Sequence, residues 1–437
     1  MKRWYSVFLI SVVLISFFAS CKKFLDVESF DAISDEKTIF DKASAETAVR
    51  GAYSAVSLSS YGSSFQTTIL LAGSDIKSLN NAQTDLNIIN HDLRSDIAFL
   101  STYWLNFYNA INISNHIIEK VPLVNDVALT DEIRDQFLGE AYFIRALSYF
   151  DLARVFGNVP IYLTPTLTIE DKLGVPQSNQ ATVYNQAITD LNQAIELLPA
   201  SVVRNRARKS TAYALRARVN LYLKKYQEAE NDATEVINNT SYQLIKPFKL
   251  AGGTAESILE LSYNDNNTNP AFGLWNTSNR ALEPKSEIHS LLNDKNIGGG
   301  RKILSVQSSL GIVGAICPTK TSPAYLIRTA EVYLIRAEAR ASRQTPDLTG
   351  ALADLNAVRE RSEVPLATVK DKEGLLLAIE NERRIEFALE PHRWFDLTRT
   401  GRAAAVLGAT NPQKYIFPIP ESEILADPSL VQNPSYN

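Results

Sequence analysis

The sequence predicts an all-α fold, built mostly of paired helices with irregular loops. Three observations predict it. Apolar residues recur at helical spacing along most of the 437 positions, strand-like alternation is scarce, and short registers of small and aromatic residues return at hairpin spacing. Hydrophobic residues make up 45% of the chain, enough for a large core at this length. The only cysteines are Cys21 and Cys317, so burial rather than a disulfide framework is expected to supply stability, with Cys317 a small buried hydrophobe.

The chain opens with a segment that precedes the fold. Lys2 and Arg3 give a positive start, and Val7 to Phe18 is apolar except for Ser11 and Ser16. At roughly 1.5 Å per residue that run is too short to cross a bilayer, so residues 1–20 read as a cleaved signal. Ala19 and Ser20 stand before Cys21, the arrangement a lipoprotein signal peptidase needs before a diacylated cysteine becomes the new N-terminus. This resembles a bacterial lipobox, with Phe18 where Leu is usual. Residues 21–45 then form a lipidated N-terminal segment, and residues 46–437 a single domain. No other segment offers around 18 uninterrupted apolar residues, so this body is expected to be soluble and held by its lipid alone.

Helical periodicity marks segments near 46–58, 101–120, 131–156, 181–198, 209–223, 226–238, 322–343, 348–361 and 372–390. Ala217, Tyr226, Ala229 and Ala233 fall at the spacings of a tetratricopeptide helix hairpin, where small residues let two helices approach closely. The same register appears in Ala146, Tyr184, Ala187, Leu191, Ala194 and Pro199, split by a loop of about 24 residues from Gly157 to Gln180. A third copy carries Ala337, Ala351, Leu355 and Val358. Helix pairs are thus expected at about 139–240 and 322–361, with a loop-rich insertion at about 241–321. Such arrays are usually scaffolds, and long excursions from them are where function tends to sit.

Removing residues 1–20 takes away two of the 44 basic residues and leaves 42 against 48 acidic, a formal charge of −6. That is neither a nucleic-acid footprint nor a polybasic membrane patch, and Arg204, Arg206, Arg208 and Lys209 lack interleaved aromatics.

Four blocks carry a resemblance. They are GEAYFIRALSYFDLARVFGNVPIYL (139–163), TAEVYLIRAEARASR (329–343), ENERRIEFALEPHRWFDLTRTGR (380–402) and IFPIPESEILADPSLVQNPSY (416–436). In order and spacing, with a lipidated start, they resemble the SusD/RagB family of nutrient-binding outer-membrane lipoproteins of the Bacteroidetes. The resemblance extends to Arg50-Gly51-Ala52-Tyr53 and to the helix from Trp104 to Asn115. Pro391 and Ser435 replace glycines that the family favours. It implies four tetratricopeptide-like units on one side, a loop-rich ligand side, and a lid-like position on a SusC-like TonB-dependent barrel transporter. It also implies capture of glycans, or sometimes peptides, without catalysis.

Glu382, Glu386 and Glu390 fall at i, i+4 and i+8 on one helix face beside His392, and could be read as a metal site. Like charges at that spacing destabilise by roughly a few tenths of a kcal/mol per pair, so they need partners. Arg383, Arg384, Arg393 and Arg399 are near in sequence, and an ion-pair network is the preferred reading. No HExxH, GxSxG, Walker loop or GxGxxG occurs, and no cofactor or metal is expected.

Glycan binding needs a flat aromatic face and planar amides or carboxylates that bridge neighbouring hydroxyls. Tyr263, Asn267, Phe272, Trp275 and Asn276 have that composition, as do Tyr61, Asn80, Asn81 and Asp85. Asn-rich loops also make turns by local side-chain to backbone bonds. Trp275 either anchors its own loop or serves as a ligand platform, and the platform is taken as the expectation. Trp104 and Trp394 are expected in the core. The overall expectation is an outer-membrane lipoprotein that binds an oligosaccharide and delivers it to its transporter. The alternatives are a scaffold that only docks on and gates that transporter, and a peptide-binding member.

Overall fold

The structure, a computed structural model, describes residues 38–436 apart from 60–62, 81, 169, 251, 277 and 278. It begins with α1 (Lys42–Ser59), α2 (Ser63–Ala72), β1 (Ile76–Ser78), α3 (Gln83–Ile89), α4 (Ala98–Lys120) and α5 (Asp131–Phe156). There follow β2 (Val159–Pro160), β3 (Gln177–Ser178), α6 (Gln180–Leu197), α7 (Lys209–Tyr222) and α8 (Tyr226–Ile237). The expected insertion is not structureless: it holds β4 (Ser257–Leu261), α9 (Phe272–Trp275), β5 (Leu282–Pro284), α10 (Ser286–Asn293), β6 (Ser305–Ser308) and β7 (Gly311–Gly314). The chain closes with β8 (Ala324–Arg328), α11 (Thr329–Ser342), α12 (Leu348–Arg361), α13 (Lys372–Glu386), α14 (Arg393–Arg399), α15 (Ala403–Leu407) and α16 (Glu421–Ala426).

Four helix pairs make the frame. α1 packs on α4, α5 on α6, α7 on α8 and α11 on α12, while contacts of α4 with α5, α6 with α7 and α8 with α11 chain the pairs into one array. The small residues do what their spacing predicts: Ala146, Ala187, Ala194, Ala217, Ala229, Ala233, Ala337 and Ala351 are all fully buried. Gly139 serves the same purpose, since a Cβ there would lie 2.8 Å from the Leu198 side chain.

Three pairs share a further device. The arginine just before each close-contact alanine forms a two-bond fork on an aspartate of the next helix: Arg145 on Asp190 (2.9 and 2.6 Å), Arg216 on Asp232 (2.8 and 2.6 Å), and Arg336 on Asp354 (2.9 and 2.7 Å). Each aspartate stands three residues after a buried alanine, Ala187, Ala229 or Ala351.

Among the described residues, four two-stranded antiparallel sheets lie outside the array. One corrects the expected helix at 322–343, whose first residues form β8 and pair with β4 from Ser257 opposite Arg328 to Leu261 opposite Ala324. All five β8 residues are buried, and a short run apolar on both faces has no period to separate strand from helix. The helix expected to reach 390 ends at Glu386. The carboxy-terminal tail is pinned by Asn433, whose side-chain amide donates to Phe156 O and Phe417 O, both at 2.7 Å.

Candidate ligand-binding site

Cys21, Tyr61 and Asn81 lie outside the described residues. Trp275 is not the platform expected. Its indole is fully buried, and it covers Gly314 of β7 so closely that a Cβ there would lie 2.5 Å from the ring. The physical reason is local: α9 turns the Asn-rich loop back onto the β6–β7 hairpin and β5, and a large ring there gains more from burial than from water. Asn276 is spent on the same fold, donating to Cys317 O at 2.6 Å, and half-buried Phe272 packs on the core. The Tyr263 hydroxyl is bonded to that of Ser57 at 3.1 Å.

Asn267 is exposed and closes a turn with Asn264, whose side-chain oxygen accepts from the N–H groups of Asn266 and Asn267. Asn80 is exposed, with its backbone N–H on Ser78 Oγ, and Asp85 accepts from the same hydroxyl. β1 pairs with β5, and Leu79 N donates to Ala281 O at 2.8 Å, so the two predicted stretches are brought to neighbouring positions. Cys317 is a buried free thiol, pushed up to about 11 by burial.

The carboxylate row is an ion-pair network, but its partners are not those nearest in sequence. Glu386 accepts from Arg328 and Arg361, both at 2.7 Å, and from Arg301 at 3.2 Å. Glu382 accepts from Arg301 and from Arg359 at 2.6 Å, and Glu390 from Arg328 at 2.6 Å. Arg383 instead pairs with Asp396, Arg384 and Arg393 with Asp75, and Arg399 with Glu338 and Asp396. Burial alone would raise the Glu386 carboxyl, yet Arg361, Arg328 and Arg301 together hold it at about 2. His392 is driven down to about 3, chiefly by burial, and lies against the Phe387 ring at 4.6 Å.

A cleft of about 680 Å³ lies elsewhere, between α4, the strap that follows β2, and α16. The strap takes up part of the loop that splits the second helix pair. From α4 come Trp104, Tyr108 and Asn112 at i, i+4 and i+8, with Leu105 and Asn109 beside them on the same face. Trp104 forms the floor at 4% exposure, its ring 5.1 Å from that of Tyr108, which in turn meets Tyr162 of the strap edge-on at 5.4 Å. Tyr108 and Tyr162 are half-buried and Asn109 is exposed.

Amide side chains fix the strap. Thr166 N donates to Asn112 Oδ1 at 2.7 Å, and Asn115 donates to Tyr162 O and Thr164 O at 3.1 and 2.8 Å while accepting from Arg145 at 2.8 Å. The Tyr162 hydroxyl donates to Lys172 O at 3.1 Å. The opposite wall carries Glu423, Ala426, Asp427 and Leu430. Asp427 accepts from Gly174 N and Ser429 N, both at 3.0 Å. Burial raises the Glu423 carboxyl, against the pull of Lys172 and a hydrogen bond from the Trp104 indole. Burial, then the Asp427 and Glu423 charges, push the Tyr162 hydroxyl up to about 12. Aromatic rings, amides and one spare carboxylate thus converge in a concave site. A second cleft of about 480 Å³, near α13 and α14, is lined in large part by charges already paired, Arg383 with Asp396, Arg399 with Glu338 and Arg402 with Glu380.

Sequence reasoning missed Tyr108, Asn109, Tyr162 and Glu423. One signal was present: Asn106, Asn109, Asn112 and Asn115 recur every third residue of a largely apolar helix, although asparagine is a poor helix former.

Comparison with known proteins agrees with this architecture. Residues 23–221 match a family described as starch-binding and associating with the outer membrane, and residues 317–414 match the SusD family. A SusD-like protein of Formosa agariphila is 26% identical over the whole of both chains. A laminarin-binding SusD-like protein of known structure is 26% identical with a TM-score of 0.77, covering 91% of this chain and 100% of its own. A SusD superfamily protein from Bacteroides thetaiotaomicron, 23% identical with a TM-score of 0.79 over 90% of this chain and 99% of its own, has the same fold. With two thirds of its length matched by these two families and the helix-pair fold shared, the chain belongs to the SusD family.

Proposed function

We propose that this protein captures an oligosaccharide in the cleft between α4 and α16 and passes it to a TonB-dependent barrel at the outer membrane. The single observation that carries the binding role is the lining of that cleft. Half-buried Tyr108 and Tyr162 offer ring surface for a sugar's C–H face, while Asn109 and Glu423 offer planar hydrogen-bonding groups for its hydroxyls. The laminarin-binding relative supports a glycan as ligand. Binding would be stoichiometric, with release into the transporter in place of turnover. Membrane attachment would come from acylated Cys21, and no described helix is long and apolar enough to cross a membrane. Cys21→Ser is expected to abolish palmitate incorporation and release the protein from the membrane fraction.

A glycan array on the body lacking residues 1–21, repeated with Ala426→Trp to fill the exposed mouth of the cleft, tests the binding role. The expected result is loss of the best array ligand in the variant, and retained binding would move the site to the face bearing Asn80, Asp85 and Asn267. A second reading, docking on a partner alone, is favoured by exposed leucines on the elements that form the cleft: Leu105 of α4, Leu163, Leu167 and Leu173 of the strap and Leu425 of α16, at 45 to 74% exposure. If docking is their role, Leu425→Asp reduces co-purification of the transporter and leaves glycan affinity unchanged.

A further inference from the structure

The charges that line the cleft are Lys172, Glu423 and Asp427. They are not equivalent. Asp427 already takes backbone N–H bonds from Gly174 and Ser429, which ties the strap to the segment after α16. Lys172 stands on the exposed strap, where its charge is largely screened by solvent. Glu423 is half-buried and lines the cleft together with the rings of Trp104, Tyr108 and Tyr162. A carboxylate accepts at about four lone-pair positions, more than one donor can fill, so Glu423 brings acceptor capacity to the cleft lining.

Accepting on the binding reading above, we infer that Glu423 sets the charge class of the ligand, admitting neutral oligosaccharides and rejecting those that carry carboxylate or sulfate groups. A carboxylate bound beside aromatic rings bridges two adjacent hydroxyls of a sugar stacked on those rings. The same carboxylate repels an anionic substituent at that place, in a region where water screens charge less than at the surface. An Asn or Gln at this position would bridge the hydroxyls without the repulsion. Glu423 is therefore a specificity residue more than a simple contact.

The test uses two probes that share a backbone and differ only at the primary carbons: a neutral β-1,3-glucan hexasaccharide, and the same hexasaccharide with its primary hydroxyls oxidised to carboxylates. Calorimetric titration at pH 8 and low salt is run on the wild-type body, Glu423→Gln and Ala426→Trp. The wild type is expected to prefer the neutral probe at least tenfold, and Glu423→Gln to reduce that preference to less than threefold. A preference unchanged in Glu423→Gln, or a wild type that binds both probes equally, overturns the inference while leaving the cleft reading intact. Neutral-probe binding that survives Ala426→Trp overturns the cleft reading itself, and a wild type that binds neither probe overturns both.

Discussion

The knot around Glu386 and the cleft beneath α16 are built from similar polar groups, but they differ in how completely those groups are satisfied. In the knot, Glu382, Glu386 and Glu390 are met by Arg301, Arg328, Arg359 and Arg361, and Arg301 and Arg328 are at most 1% exposed. In the cleft, Asn112, Asn115 and Asp427 are spent holding the strap, while exposed Asn109 and half-buried Glu423 line the open space. The cluster that looks chemical in sequence is structural. The helix that reads as core opens on one face to a cavity that suits a sugar.

The largest effects fall on the structural side. Glu386→Ala leaves buried arginines without their counter-charge and is expected to destabilise by about 3 to 5 kcal/mol, read as a shift in the denaturant midpoint. An unchanged midpoint contradicts the role given to the knot. The pH dependence has a definite sign. A carboxyl held at about 2 against an ordinary 4.5 contributes stability above 4.5 that is lost as pH falls toward 2. The difference between wild type and Glu386→Gln at neutral pH should therefore shrink through that window. Glu256 and Glu390, raised first by burial and in part by the Glu386 charge, act with the opposite sign, and the part due to Glu386 is lost in Glu386→Gln.

Trp275→Ala opens a cavity in the core and is expected to destabilise by about 3 to 5 kcal/mol, with glycan affinity kept in the folded fraction. A stable variant with weakened binding would restore the ring to the ligand site. Gly314→Ala, which forces a methyl against the same ring, is expected to lose about 1 to 3 kcal/mol.

Smaller effects belong to the cleft. Tyr162→Ala removes one ring of the platform and is expected to weaken the neutral hexasaccharide about tenfold, or roughly 1.4 kcal/mol, by calorimetric titration. Asn109→Ala removes one exposed hydrogen-bonding group, and affinity should fall about threefold with the melting temperature unmoved. If Asn109→Ala melts early instead, the amide row of α4 is structural along its whole length.

Much of the fold was legible because helical periodicity reports which face is buried. The alanine registers placed three of the four pairs, and a stronger signal ran alongside them. Arg-Ala at 145, 216 and 336, answered by Ala-x-x-Asp ending at 190, 232 and 354, spells out the arginine forks. The first pair escaped because α2, β1 and α3 separate its helices and it carries no such fork. β8 read as helix because a run buried on both faces has no period. Trp275 was misplaced for a different reason: polar neighbours describe the loop's surface and not where its one large ring goes. The site was least legible, since Tyr108, Tyr162 and Glu423 meet only after three distant segments fold together.

The central claim is the location of the ligand, and hydrogen exchange with and without the neutral hexasaccharide tests it most directly. The account predicts slowed exchange in the strap at 162–173 and in α16 and the segment after it, at 421–430, with 79–85 and 263–276 unchanged. Slowed exchange at 79–85 and 263–276, with the strap and α16 unaffected, would contradict it.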